Sequence, residues 1–142
     1  MLVDTNLLLY ATFREAPEHE QVRTWLEGQL GSDEGVVLCW PVVYAFLRLV
    51  TSPRVFGPHA VTIGVGWRTA SAYLEQPSAR VVGPGSAHRT IAAELAATPG
   101  LRSDDVPDIE IAALAVEHGL VLATHDHGFR RFAQVRVFDP LA

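Results

Sequence analysis

The chain contains no lysine, and all eleven of its basic residues are arginine. That absence removes the Walker-type phosphate loop, Schiff-base enzymes, and the receiver-domain and haloacid-dehalogenase sites, each of which employs a lysine. A phosphoaspartate receiver built on Asp4 is disfavoured for the same reason. Cysteine is nearly absent too: Cys39 stands alone, so no intramolecular disulfide can form, and a reducing, cytoplasmic setting is expected. No run approaches the roughly 18 apolar residues of a membrane span, and no basic stretch precedes an apolar one at the start as in a secretory signal. Acids outnumber bases, for a net charge of −5. The molecule as a whole is therefore no electrostatic sponge for nucleic acid, although a local arginine lip remains open to it.

What is present is enough for a core. A chain of 142 residues buries about two-thirds of its unfolded surface and needs no staples. The expectation is one domain spanning 1–142. Short apolar runs that read as strands (1–4, 36–39, 80–82, 120–124, 135–138) alternate with helical patterns. Helices are expected over 5–12, from Pro17-Glu18 to Leu30, from Pro41 to Val50, over 59–75, over 87–97 with Ser86 as N-cap, and from about Asp104 to His118. Residues 53–58 read as a loop, and Gly119 as a helix C-cap. Strands alternating with helices imply right-handed crossovers, hence a mostly parallel sheet in a three-layer α/β/α sandwich.

Three carboxylates then fall at corresponding places. Asp4 ends the first strand, Asp126 lies just beyond the strand ending at Thr124, and Asp108 sits in the first turn of the helix feeding that strand. Should those strands be neighbours, all three acids face one crevice at the carboxyl edge, where open α/β sheets bind ligands. Clustered carboxylates repel unless a cation neutralises them. A hard ion such as Mg²⁺ or Mn²⁺ suits such oxygen donors and leaves room for a phosphate. Each acid has a plainer reading: Asp108 as a helix-start charge, Asp126 as turn chemistry in His-Asp-His-Gly. Asp4 is the hardest to explain away, because a carboxylate ending a buried strand is costly without a partner. The joint pattern carries the case.

The segments Leu2-Val3-Asp4-Thr5-Asn6, Val106-Pro107-Asp108 opening an Ala-rich helix, Thr124-x-Asp126-x-x-Phe129, Trp40-Pro41, Phe46 to Thr51 and Val137 to Leu141 together resemble the PIN-domain ribonucleases. More narrowly, they resemble the VapC-type toxins of bacterial toxin–antitoxin pairs. The resemblance implies a PIN-like fold and a Mg²⁺- or Mn²⁺-dependent endoribonuclease that cuts RNA with water as nucleophile. It also implies silencing by a cognate VapB-type antitoxin. Carried over by position, Asp4, Asp108 and Asp126 are the catalytic metal ligands, and Asn6 and Thr124 orient them. Two positions depart from the pattern: Ala45 and Gly128 stand where many members carry an acid. The weaker site this implies keeps a second reading open, a PIN-fold module acting by RNA or protein binding.

Among the remaining polar residues, Arg48 and Arg54, with Arg130 and Arg131, are candidates to meet phosphate or an acidic antitoxin segment. His125-Asp126-His127 invites a transition-metal reading, but the triplet lacks the further His/Asp motifs of known His-rich hydrolases. The other histidines are expected at the surface or at helix ends, and Trp25 and Trp40 in packing. The apolar stretches 41–50 and 60–74 are candidates for a homodimer face.

Overall fold

The computed structural model describes residues 1–142. Five short strands form one sheet: β1 (Leu2–Val3), β2 (Val36–Cys39), β3 (Ala79–Val82), β4 (Leu122–Ala123) and β5 (Val137–Phe138). Every pairing is parallel, in the order β3-β2-β1-β4-β5. Seven helices flank it: α1 (Thr5–Thr12), α2 (His19–Leu30), α3 (Trp40–Val50), α4 (Pro53–Phe56), α5 (Ile63–Leu74), α6 (His88–Ala96) and α7 (Val106–Glu117). This is the α/β/α sandwich expected from the alternation of apolar patterns.

The order of the strands positions the site. The chain runs outward from β1 through β2 to β3, then returns to lay β4 on the other side of β1. Leu2 pairs with Leu122 and Val3 with Ala123, and the ladder continues one residue further as Asp4 N donates to Ala123 O at 3.0 Å. The reversal opens a crevice beyond the carboxyl ends of β1 and β4, the switch point of a doubly wound sheet.

The inner strands are buried on both faces, which is why they read as unbroken apolar runs and not as alternating ones. Five consecutive residues of α7, Ile111 to Ala115, are also buried. Three of them are alanines, whose small side chains let α6 and α3 pack closely against it. Its end is a Schellman turn: Leu120 N donates to Ala115 O at 2.8 Å and Gly119 N to Val116 O at 3.1 Å, with Gly119 at φ 63°.

Several boundaries differ from the sequence expectation. Residues 53–56 form a helical turn instead of a loop. Pro53 occupies a first-turn position that has no need of an N–H, and Ser52 O accepts from Phe56 N at 2.9 Å. Helix α5 starts at Ile63, not His59, because the Thr62 side chain caps it by accepting from Val65 N at 3.3 Å. Its Gly66 allows close approach to α3, since a Cβ there would lie 3.0 Å from Leu47 Cδ1 and 3.1 Å from Val50 Cγ2. Ser86 does not cap α6; Ala87 holds that position without a side-chain bond. The fourth strand is shorter than 120–124 because Leu120 is consumed by the helix turn before it.

Candidate active site

Asp4 closes β1 and opens α1, and the residue is only 5% exposed. Every hydrogen bond it accepts comes from a neutral donor. Oδ1 takes the Thr5 N–H at 2.7 Å, as an N-cap does, while Oδ2 takes the Thr124 hydroxyl at 2.6 Å and Asn6 Nδ2 at 3.0 Å. Thr124 is the hub. Its Oγ1 donates to Asp4 and accepts from Asn6 Nδ2 at 3.0 Å and from Asp126 N at 3.0 Å. Asn6 Oδ1 receives His125 N at 3.3 Å. The network thus stitches the end of β1 to the end of β4. Burial raises the Asp4 carboxyl above its ordinary value, against the hydrogen bonds from Thr124, Thr5 and Asn6.

Asp108 projects from the first turn of α7 and Asp126 from the turn after β4, where its Oδ1 is capped by Gly128 N at 2.7 Å. Asp4, Asp108 and Asp126 line one cavity of about 240 Å³, with Thr5, Asn6 and Ala45 among the other lining residues. Partial burial and the charge of Asp126 push the Asp108 carboxyl up to about 6, with Asp4 and Asp105 adding to the effect. Arg131 opposes it: Nη2 donates to Asp108 Oδ2 at 2.6 Å while Nη1 sits 3.0 Å from Asp105 Oδ1. Even with that guanidinium in place, the crevice holds more negative charge than it neutralises.

Arg48 and Arg54 are exposed and are not among the residues lining this cavity. The guanidinium that reaches the acids is Arg131, which sequence reading named only among four candidate arginines. Its position, five residues past Asp126 in a 3₁₀ turn spanning His127–Arg131, is the signal that could have singled it out. Ala45 faces the cavity. A Cβ added at Gly128 would lie 2.9 Å from Asp126 Oδ1 and 3.7 Å from Arg131 Nη1. Both positions that depart from the family pattern therefore adjoin the acids. Glu110 points elsewhere, lining a separate pocket with Trp40 and His88. His19 opens α2, at a helix end as expected, and there it is buried, with its Nδ1 2.8 Å from Tyr10 O. Trp25 stacks on Phe138 at 6.0 Å, whereas Trp40 is 45% exposed and forms an aromatic row with Tyr44 and Trp67.

The donor set suits a hard divalent cation. It is made of carboxylate oxygens, it keeps lone pairs free on Asp126 and Asp108, and the charges of Asp126 and Asp4 add to burial in raising Asp108. No helix of the structure is long and apolar enough to cross a membrane.

A doubly wound parallel sheet with an acidic crevice at its switch point defines a class of α/β proteins that bind ligands over the strand ends. Comparison narrows the class. The PIN domain family model matches residues 1–135. Ribonuclease VapC37 of Mycobacterium tuberculosis is 34% identical over 141 residues, covering 99% of this chain and 97% of that protein. Ribonuclease VapC48 of the same species is 32% identical, covering 98% and 96%. Among solved structures, VapBC-1 from nontypeable Haemophilus influenzae aligns with a TM-score of 0.73 at 17% identity, covering 99% of this chain and 98% of that one. The FitAB complex bound to an IR36 DNA fragment aligns at 0.68 and 24% identity, with 99% and 95% covered. The chain belongs to the PIN-domain family, among the VapC ribonucleases.

Proposed function

We propose that this chain is the endoribonuclease toxin of a type II toxin–antitoxin pair, and that Asp4, Asp108 and Asp126 hold Mg²⁺ or Mn²⁺ in its crevice. The observation that carries the reading is the fixed Asp4–Asn6–Thr124 network at the switch point, with two further acids on the same cavity. Bound there, the cation supplies neutralisation of charge on the phosphodiester and acidifies water for attack.

The chain's own residues do the positioning. Asp4 cannot rotate without losing three hydrogen bonds; two of them occupy Oδ2, so Oδ1, with a single bond from Thr5 N–H, is the oxygen that keeps a lone pair for a cation. Thr124 and Asn6 hold the carboxylate in place, and through Asp126 N and His125 N they set where the Asp126 turn lies. Asp108, raised to about 6, is deprotonated at neutral pH and available as a ligand. Arg131, with Nη2 on Asp108 and Nη1 on Asp105, sets a positive charge beside the acids that would draw a phosphate toward them. No serine, cysteine or histidine lines the cavity, and its one threonine, Thr5, is buried in the first turn of α1, which favours water as the nucleophile.

The partner is a VapB-type antitoxin. A second, apolar cavity of about 250 Å³ lined by Leu9, Phe13, Phe46 and Phe56 among others offers its side chains a seat. The exposed Trp40, Tyr44, Ile63 and Trp67 on α3 and α5 suit a homodimer face. The rival reading, an RNA- or protein-binding module of weakened activity, draws on Ala45 and Gly128. Cleavage of RNA by the purified chain with Mg²⁺ or Mn²⁺, set against EDTA and against Asp4→Asn and Asp108→Asn, decides between them. Cation-dependent cutting that both variants lose supports the enzyme. Cutting that is identical in all three overturns it.

A further inference from the structure

The fold assembles a second cluster of ligating side chains that the crevice does not use. His125 and His127 flank Asp126 in sequence, and β5 brings Asp139 beneath both of them. His125 Nδ1 lies 2.9 Å from Asp139 Oδ2 and His127 Nε2 lies 3.5 Å from the same oxygen. One ligand atom from each of the three residues falls within 4.8 Å of the others. We propose that His125, His127 and Asp139 form a binding site for a borderline transition-metal ion, Zn²⁺ foremost, separate from the carboxylate crevice.

The chemistry of the donors separates the two sites. Two imidazole nitrogens and one carboxylate oxygen form a set that zinc, cobalt and nickel favour and magnesium does not. A tetrahedral ion with bonds near 2.0–2.1 Å holds its ligands about 3.3 Å apart. The His127–Asp139 spacing of 3.5 Å already matches that value, and the His125–Asp139 spacing of 2.9 Å has only to open slightly. The wider imidazole-to-imidazole gap closes by rotation of His127, whose side chain is 65% exposed at the tip of its turn. Three protein ligands leave a fourth position for water.

The ligands are also held from behind. Asp139 is 4% exposed, and its Oδ1 accepts Leu141 N at 2.9 Å, which leaves Oδ2 aimed at the two rings. Such outer hydrogen bonds orient ligands in metal centres. His125 is anchored through its backbone N–H to Asn6 Oδ1, and the turn is closed by Gly128 N on Asp126 Oδ1. The two sites therefore share a turn but no ligand. An ion at the histidines ties the loop after β4 to the end of β5, and so holds the turn that carries Asp126.

The test is titration of the full chain with Co²⁺ as a spectroscopic stand-in for zinc, in excess Mg²⁺ so that the crevice is filled, followed by displacement with Zn²⁺. One equivalent of Co²⁺ should give the intense visible absorption of four-coordinate cobalt, and Zn²⁺ should erase it. His127→Ala, a change at an exposed side chain, should weaken binding at least about tenfold, and Asp139→Asn should do likewise. Asp108→Asn should leave the affinity where it was. Absence of stoichiometric binding, an unchanged signal in the His125→Ala/His127→Ala double variant, or loss of the signal in Asp108→Asn would each overturn the proposal. The readout does not involve RNA cleavage, so its failure is distinct from failure of the ribonuclease reading.

Discussion

Replacing Asp108 by asparagine should make the metal-free protein more stable while disabling it. The carboxyl is held at about 6 in the folded chain against 3.8 for the free group, so the folded state binds its proton more tightly than the unfolded state does. With the pKa raised on folding, the charged form costs stability above about 6, and the cost fades as pH falls toward 4. A gap of roughly two pH units corresponds to about 3 kcal/mol as a ceiling. Asp108 is 24% exposed and keeps its bond to Arg131, so solvent screening and that bond cut the figure to about 1–2 kcal/mol. Asparagine removes the charge and can still accept from Arg131 through its amide oxygen. In EDTA at pH 8, Asp108→Asn should therefore melt roughly 3–7 °C higher than the parent chain, given the unfolding entropy of a domain of this size. At pH 4 the two should melt together. Thermal unfolding followed by circular dichroism at both pH values measures the effect. A variant less stable than the parent at pH 8, or a gain that persists undiminished at pH 4, would refute the electrostatic account of this crevice.

Cation affinity should follow the same group: competition with a proton at about 6 makes Mg²⁺ binding about tenfold weaker at pH 5 than at pH 7.5, measurable by calorimetry. Thr124→Val keeps the shape of the hub but leaves Asp4 Oδ2 with only Asn6 as donor. It should cost about 1–3 kcal/mol in denaturant unfolding, and unchanged stability would remove Thr124 from its positioning role. Ala45→Glu puts a fourth carboxylate on the cavity wall. It should tighten Mn²⁺ binding several-fold and raise RNA cleavage, whereas weaker binding would show that the cavity cannot admit the side chain. Gly66→Leu drives a side chain into Leu47 and Val50 on α3 and should lower stability by about 1–3 kcal/mol in the same unfolding assay.

Features that depend on neighbours along the chain were written in the residues themselves. Unbroken apolar runs declared strands buried on both faces, Gly119 declared the end of α7, and a carboxylate set immediately after the first run declared a polar end to a buried strand. Each of these rests on interactions spanning a few residues, which a linear pattern can display. Boundaries went astray where two local signals competed. Pro53 can end one helix or start another, and only the packing of α4 chose; Ser86 offered a cap that the geometry of α6 declined. The site required more. Whether Asp4 and Asp126 meet depends on β4 returning beside β1, and that choice belongs to the burial of the whole sheet and not to any segment. The placing of β5 beside β4 slid Asp139 under His125 and His127, and the turn after β4 set Arg131 against Asp108. The residues supplied the chemistry, and the crossover between distant strands decided which groups share a space, because strand order is settled by the collective burial of apolar faces whose partners lie up to 120 positions apart, as Thr124 does from Asp4.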